Sequence, residues 1–184
     1  MHTAASSITI EAVDRFPEPE FSSLQRSVFA GIEQYSAEYA SLLREEAALA
    51  AISPKQATQM IRIGAYDGEV LIGWSYGYLE RNPVFYMANS GVIESHRRRG
   101  IYSALIEAVR LQAVSAGASM MRSQHSVLNT AVIIAKLRAG FIISGLSQSA
   151  HLGTMVELTL HLSAQREALY RQRTLPYCAH PASA

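Results

Sequence analysis

Apolar and polar positions along this chain switch repeatedly between the two-residue period of a strand and the longer period of a helix. Ile61–Tyr66 and Glu69–Glu80, on either side of Asp67-Gly68, read as two strands joined by a tight turn. Asn82-Pro83 turns the chain into a third strand, Val84–Ile93. Ile101, Leu105, Ala108 and Val109 then recur at helical spacing, which predicts a helix from Gly100 to about Ala116 that Gly117 ends. Ser119–His125 follows as a strand. A second helix opens at Asn129, an N-cap residue type, and closes at Gly140, placed as a left-handed C-terminal residue. Two strands remain, Phe141–Leu146 and Thr154–Leu162. In the latter, Val156, Leu158, Leu160 and Leu162 alternate with Glu157, Thr159 and His161, which calls for one buried face.

Upstream, Ser7–Val13 alternates as a first strand and Pro17 and Pro19 break it. Phe21, Leu24, Val28 and Ile32 mark one face of a helix, and a second helical stretch covers about 34–50. Ser53-Pro54-Lys55-Gln56 has a capping-box pattern with proline at the first helical position, so a short helix starts there. Ala164–Ala184 carries a short helix and then a proline-containing tail. The order is strand, helices, three antiparallel strands, helix, strand, helix, two strands. It predicts an α/β fold whose mixed, mostly antiparallel sheet has one parallel pair, where 84–93 crosses over through a helix to 119–125. Residues 1–163 form a single domain in this reading, with 164–184 as a C-terminal helix and tail.

Composition narrows the class. A chain of 184 residues suits one domain with one substantial core, and 49% hydrophobic against 17% charged residues describes a globular protein with a rather apolar surface. A formal net charge of +1 argues against a nucleic-acid partner, which would need a broad basic face. Cys178 is the only cysteine, so neither an intrachain disulfide nor a cysteine-rich metal site is available, and His151 and His161 lie too far from other ligand types in sequence to suggest a metal. No apolar run reaches membrane-spanning length and the first residues lack a signal peptide's apolar core, so a cytoplasmic protein that binds no membrane is expected.

One stretch stands apart from this balanced charge. Ser90-Gly-Val-Ile-Glu-Ser-His-Arg-Arg-Arg-Gly-Ile-Tyr-Ser is a strand end, a basic turn through Arg97, Arg98, Arg99 and Gly100, and a helix start. The first turn of a helix presents unpaired N–H groups and the positive end of the macrodipole. Preceded by arginines, such an end seats phosphate groups. An isolated arginine-rich turn is more often a solvated helix cap, and the second punctuated helix, Asn129 to Gly140-Phe141, shifts that balance.

Taken together, the two segments resemble the GNAT superfamily of acyl-CoA-dependent N-acyltransferases over roughly residues 60–162. The family's pyrophosphate signature falls on Arg97–Tyr102, and its second signature, an Asn opening a helix that ends in Gly-Phe, falls on Asn129, Gly140 and Phe141. The resemblance implies an acetyl-CoA or other acyl-CoA co-substrate with no metal. Its diphosphate would be held by N–H groups from Arg98 through Ile101 and Tyr102 to Ser103, with arginine side chains on the outer phosphates. It also implies that the two parallel strands splay, with the pantetheine arm in the gap beside Gly91, Val92 and Ile93, and that the Val92 N–H or a neighbour polarises the acyl oxygen. Asn129 would lie near that arm. The acceptor would be a primary amine, on a small molecule or a protein, with the 147–153 loop and the helices at 21–50 shaping its pocket.

Two positions depart from the family. Tyr102 stands where a small residue is usual, so its ring must either crowd the cofactor or tilt away. Lys136 stands where many members carry the tyrosine that protonates the departing thiolate. Val132 and Ile133 place Lys136 on the apolar helix face, where it either snorkels to water or, if desolvated, loses basicity and becomes a proton donor. His125, with an ordinary pKa near 6.5, is the candidate base, and Glu94, Tyr76, Tyr78 and Tyr86 are the other candidates for proton handling. The expected activity is direct acyl transfer in a ternary complex; the rivals are a non-catalytic acyl-CoA-binding module and a binder of other phosphate ligands. A homodimer stays open.

Overall fold

The computed structural model describes residues 8–29, 59–80, 83–149 and 152–174. The helical stretches expected at 34–50 and from Ser53 lie outside these residues, as do His151 and Cys178. The described elements are β1 (Ile8–Ala12), α1 (Glu20–Phe29), β2 (Met60–Asp67), β3 (Val70–Leu79), β4 (Val84–Val92), a 3-10 turn (Glu94–His96), α2 (Ile101–Ser115), β5 (Met120–Ser126), α3 (Thr130–Arg138), β6 (Ile142–Ser149), β7 (Gly153–His161) and α4 (Ala164–Thr174). The strands form one seven-stranded sheet in the order β1-β2-β3-β4-β5-β7-β6. Every neighbouring pair is antiparallel except β4–β5. The mixed sheet with its one parallel pair is the architecture that the periodicity predicts. Two boundaries move: β2 runs through Asp67, leaving Gly68-Glu69 as the two-residue turn, and β6 continues through Ser149, so most of the expected 147–153 loop is strand.

Two buried clusters lie on opposite faces. The larger gathers Ile63, Ile72, Phe85, Met87 and Val92 of the sheet with Ile101, Leu105, Ile106, Val109 and Ala113 of α2. The smaller packs Phe16, Leu71 and Trp74 against Phe21, Leu24, Val28 and Phe29. Full burial of residues as large as Trp74, Phe85 and Leu105 contributes on the order of 1.5–3 kcal/mol each, so both helices are fixed to the sheet by area removed from water.

Strand β4 changes face midway. The β3–β4 register jumps between Tyr76↔Asn89 and Gly77↔Met87, which leaves Ala88 as an extra residue. Phe85 and Met87 face α2 before the bulge, and Val92 faces it after. Asn89 instead turns toward α1, where its Oδ1 accepts from Trp74 Nε1 at 2.7 Å. Without the bulge, Ser90 and Val92 would point to the α1 side.

Candidate active site

Parallel pairing between β4 and β5 covers only Val84↔Met120, Phe85↔Met121 and Tyr86↔Arg122. Beyond that point β4 continues to Val92 and β5 to Ser126 with no pairing between them, so the sheet forks. On its other side β4 stays bonded to β3: the Ile93 N–H donates to Ile72 O at 3.0 Å. Bonding alternates along an antiparallel pair. Gly91 therefore faces Trp74 of β3 with both backbone groups, whereas Ser90 and Val92 present theirs to the fork. Of the three residues expected beside the gap, Val92 supplies a gap-facing N–H, and Gly91 and Ile93 do not.

At the open end of the fork the chain turns through Arg97–Gly100 into α2. His96 pins the back of this turn, with Nε2 3.2 Å from Asp67 Oδ2 and Nδ1 2.9 Å from Ser95 Oγ. Arg97 Nε donates to Val92 O at 3.1 Å. Arg98 has a φ of 60° and Gly100 a φ of 79°, so the turn passes twice through left-handed backbone before the helix starts. The N–H groups from Arg98 to Ser103 have no acceptor among the described residues, since the first helical bond runs from Ala104 N to Gly100 O at 3.0 Å and no side chain caps the helix. Arg97, Arg98 and Arg99 are exposed and none is paired with a carboxylate among the described residues. Free backbone donors at a helix N-terminus, flanked by exposed arginines, are an arrangement that suits an anion. Glu94, at the start of the 3-10 turn, is exposed.

The closed end is made by α3. Asn129 occupies its N-cap position, but the side chain makes no capping bond. Gly140 has a φ of 90°, and the Phe141 N–H reaches back to Lys136 O at 3.0 Å while the Gly140 N–H reaches Leu137 O at 3.1 Å. This is a Schellman reversal, which only a residue free to adopt positive φ closes without strain. The reversal carries the Phe141 ring to 4.7 Å from Lys136 Nζ.

Lys136 is 0% exposed, so it does not snorkel. Its Nζ donates to Ser123 Oγ at 2.7 Å and contacts Met87 Sδ at 3.2 Å. Met87 and Ser123 are the first residues of β4 and β5 past the last paired rung. The ammonium therefore joins the two strands where they part. Burial brings its pKa down to about 7.

His125 lies two residues beyond Ser123 on the same strand face. Its Nε2 is buried without a partner, and burial, aided by the Lys136 charge, holds the ring at about 3. The expectation of an imidazole near 6.5 is corrected: this ring is neutral at any ordinary working pH and is a weak base. Tyr102 tilts away from the turn. Its ring packs against the main core, and its hydroxyl is buried beside Ser90 but makes no hydrogen bond; Ser90 Oγ is engaged with Ser75 Oγ at 2.9 Å. Burial pushes the phenol well above its usual range.

The other face of the fork carries a polar row of which sequence reasoning named only Tyr78 and Tyr86. Tyr86 Oη donates to Gln124 Oε1 at 3.4 Å and Gln124 Nε2 to Glu157 Oε1 at 2.8 Å, with the Arg122–Glu80 pair at 2.9 Å beside them. Tyr78 stacks obliquely on Tyr86 at 5.5 Å. Alternation along β5 places Arg122 and Gln124 opposite Ser123 and His125, which is the signal that could have found this row. Tyr76 belongs to the α1 aromatic cluster.

The family model described as "Acetyltransferase (GNAT) family" matches residues 19–141. Among solved structures, the ribosomal-protein-S18-alanine N-acetyltransferase from Escherichia coli superposes with a TM-score of 0.65 at 14% identity, covering 85% of this chain and 95% of that one. A Bacillus subtilis acetyltransferase in complex with CoA gives 0.59 at 16% identity, covering 85% and 100%. A nourseothricin acetyltransferase gives 0.53 at 20% identity, with 56% of this chain and 66% of that chain covered. At these identities the likeness is one of fold. No curated protein matches the chain in sequence.

Proposed function

Because the chain belongs to the acetyltransferase (GNAT) family, we propose that it is an N-acyltransferase that moves an acyl group, acetyl in the simplest case, from acyl-CoA to a primary amine by direct transfer. The observation that carries this reading is the fork between β4 and β5, with an unpaired anion seat at its mouth and a buried lysine at its root. The residues fit acyl-CoA: free N–H groups from Arg98 to Ser103 suit a diphosphate, exposed Arg98 and Arg99 with the outer nitrogens of Arg97 suit a further phosphate, and the fork-facing N–H groups of β4 suit an amide-bearing arm. Bound there, acyl-CoA supplies the activated acyl group.

The chain's own contributions follow from placement. The Val92 N–H faces the fork and serves as the donor to the acyl oxygen, where negative charge grows during transfer. Lys136 holds a proton at Nζ with a pKa near 7, below the roughly 8.5 of an ordinary thiol, so passing that proton to a departing thiolate is downhill. His125, a weak base in this setting, is not the group that deprotonates the amine, and the amine's own proton leaves through solvent. The row Tyr86, Gln124 and Glu157 lines the opposite face as the acceptor's side of the fork.

A second reading, a non-catalytic acyl-CoA-binding module, is favoured by the bonds that already occupy Lys136. The deciding experiment is a thiol-release screen with acetyl-CoA against a panel of amino sugars, polyamines, amino-acid derivatives and peptide N-termini. Release that depends on an amine supports the enzyme. Tight CoA binding without release from any amine supports the module.

A further inference from the structure

Among the buried side-chain polar atoms left without a hydrogen bond, one belongs to the anion seat itself. Tyr102 contributes its backbone N–H to the first turn of α2 and sends its side chain inward, so that the hydroxyl ends beside Ser90. Ser90 also lies on the free edge of β4, with its N–H and C=O facing the fork. A ligand anchored at the seat and running into the fork must pass along that edge, next to the phenol.

We propose that Tyr102 is a positioning residue whose hydroxyl donates a hydrogen bond to a carbonyl oxygen of the arm joining the diphosphate of acyl-CoA to its thioester. This rests on the acyl-CoA reading above. Three features support it. The phenol is the one buried group in the first turn of α2 that lacks a partner, and a buried donor left unpaired is destabilising unless something else compensates. Ser90 lies beside it but does not meet hydrogen-bond geometry with it, and the Ser90 hydroxyl bonds Ser75 at 2.9 Å. Burial also keeps the phenol protonated across the whole working range, so it is a donor at every pH the enzyme meets. The hydroxyl is sealed in the free protein, so an arm laid along β4 must part Tyr102 from Ser90 to reach it; gaining the missing acceptor is the compensation for that movement. Tyrosine at this position is thereby a means of gripping the arm rather than an obstruction to it.

The experiment compares wild type with Tyr102→Phe, which removes only the hydroxyl, using calorimetry with CoA and with 3′-phospho-ADP, the part of CoA that keeps the diphosphate and lacks the arm. The expected result is CoA binding weakened about three- to tenfold, the loss of one neutral hydrogen bond, with 3′-phospho-ADP binding unchanged. The melting temperature of the unliganded variant should equal or exceed that of wild type, because an unpaired buried hydroxyl has been removed. Unchanged affinity for both ligands overturns the proposal, and so does an equal loss for both, which would mean that the hydroxyl merely sets the helix. If wild type binds neither ligand, the acyl-CoA reading has failed and the proposal falls with it.

Discussion

Replacing Lys136 by methionine tests the strangest feature of the molecule, a fully buried ammonium. Methionine keeps the length of the side chain and its apolar stem but removes the charge and the bond to Ser123 Oγ. Carrying the pKa from an ordinary 10.5 down to about 7 corresponds to about 1.4 kcal/mol per tenfold change in proton affinity, hence at most about 5 kcal/mol against the charged form in the fold. The sign follows from which state holds the proton. Below about pH 7 both folded and unfolded chains carry it, and the penalty is complete and constant. Between about 7 and 10.5 the unfolded chain keeps a proton that the folded chain has released, so stability from this group rises with pH.

Other groups titrate over the same range, so the informative quantity is the difference between wild type and variant. Urea denaturation of both proteins at about pH 6.5 and about pH 9.5 should show wild type gaining about 3 kcal/mol relative to Lys136→Met. The variant pays a fixed cost of about 1–3 kcal/mol at either pH, because Ser123 is left buried without its donor. Its turnover, if Lys136 is the proton donor, should fall by roughly 10²-fold, and the wild-type decline in kcat above about pH 7 should disappear with it. A wild-type-minus-variant difference that is flat across the window would refute the buried charge. A turnover that is unchanged at every pH would refute the donor while leaving the clasp between strands intact.

Three further outcomes follow from the turn and its surroundings. Gly100→Val should weaken CoA binding strongly in calorimetry: the space around Gly100 is open, but a φ of 79° is strained for a β-branched residue and the turn must rearrange to relieve it. Binding of CoA should weaken as salt rises, and dephospho-CoA should bind less tightly than CoA at low salt, because Arg97, Arg98 and Arg99 stand exposed at the seat with no carboxylate partner among the described residues; equal binding of the two would show that no arginine reads the 3′-phosphate. His125→Gln should leave the shape of the kcat/KM profile between about pH 5 and 8 unaltered, since a ring held at about 3 is neutral throughout that range; loss of an inflection near 6.5 in the variant would reinstate the imidazole as a base.

The legible part of this fold was the part governed by local pattern. Alternation in β7, the helical spacing of Ile101, Leu105 and Val109, and glycines at 68, 100 and 140 each record a backbone requirement that the sequence must meet on the spot. The anion seat was legible for the same reason, as arginines, glycine and a helix start are contiguous. The fork was not, because it is an absence of pairing between strands separated by a whole helix. The environment of Lys136 was also beyond local reading: Met87 and Ser123 come from two strands and Phe141 from the reversal after α3, and only their convergence decides between snorkelling and burial. His125 illustrates the consequence, since its basicity is set by surroundings that its neighbours in sequence do not announce. For Tyr102 the sequence left crowding the cofactor and tilting away equally open, and the structure turns the ring into the core.

Lys136 and the fork are best understood as one device. A strand edge left bare inside a sheet exposes N–H and C=O groups that would otherwise recruit a partner strand, and β5 lies on that side, already paired with β4 over its first residues. Something must stop the strands from zipping closed. A bulge at Ala88 breaks the repeat of β4 just past the last rung, and Lys136 enters from α3 at that same level, filling the space between Met87 and Ser123. An apolar side chain could fill that volume but would leave Ser123 without its donor. A tyrosine, the residue that the family more often carries there, would fill it and keep a proton within reach of a thiolate. The lysine can do both, at the energetic cost of a buried charge, and that cost is largest where the proton is held and declines as it is given away. A residue that opens the fork and is easiest to bury once deprotonated is therefore biased, by the fold itself, toward releasing its proton at the root of the gap.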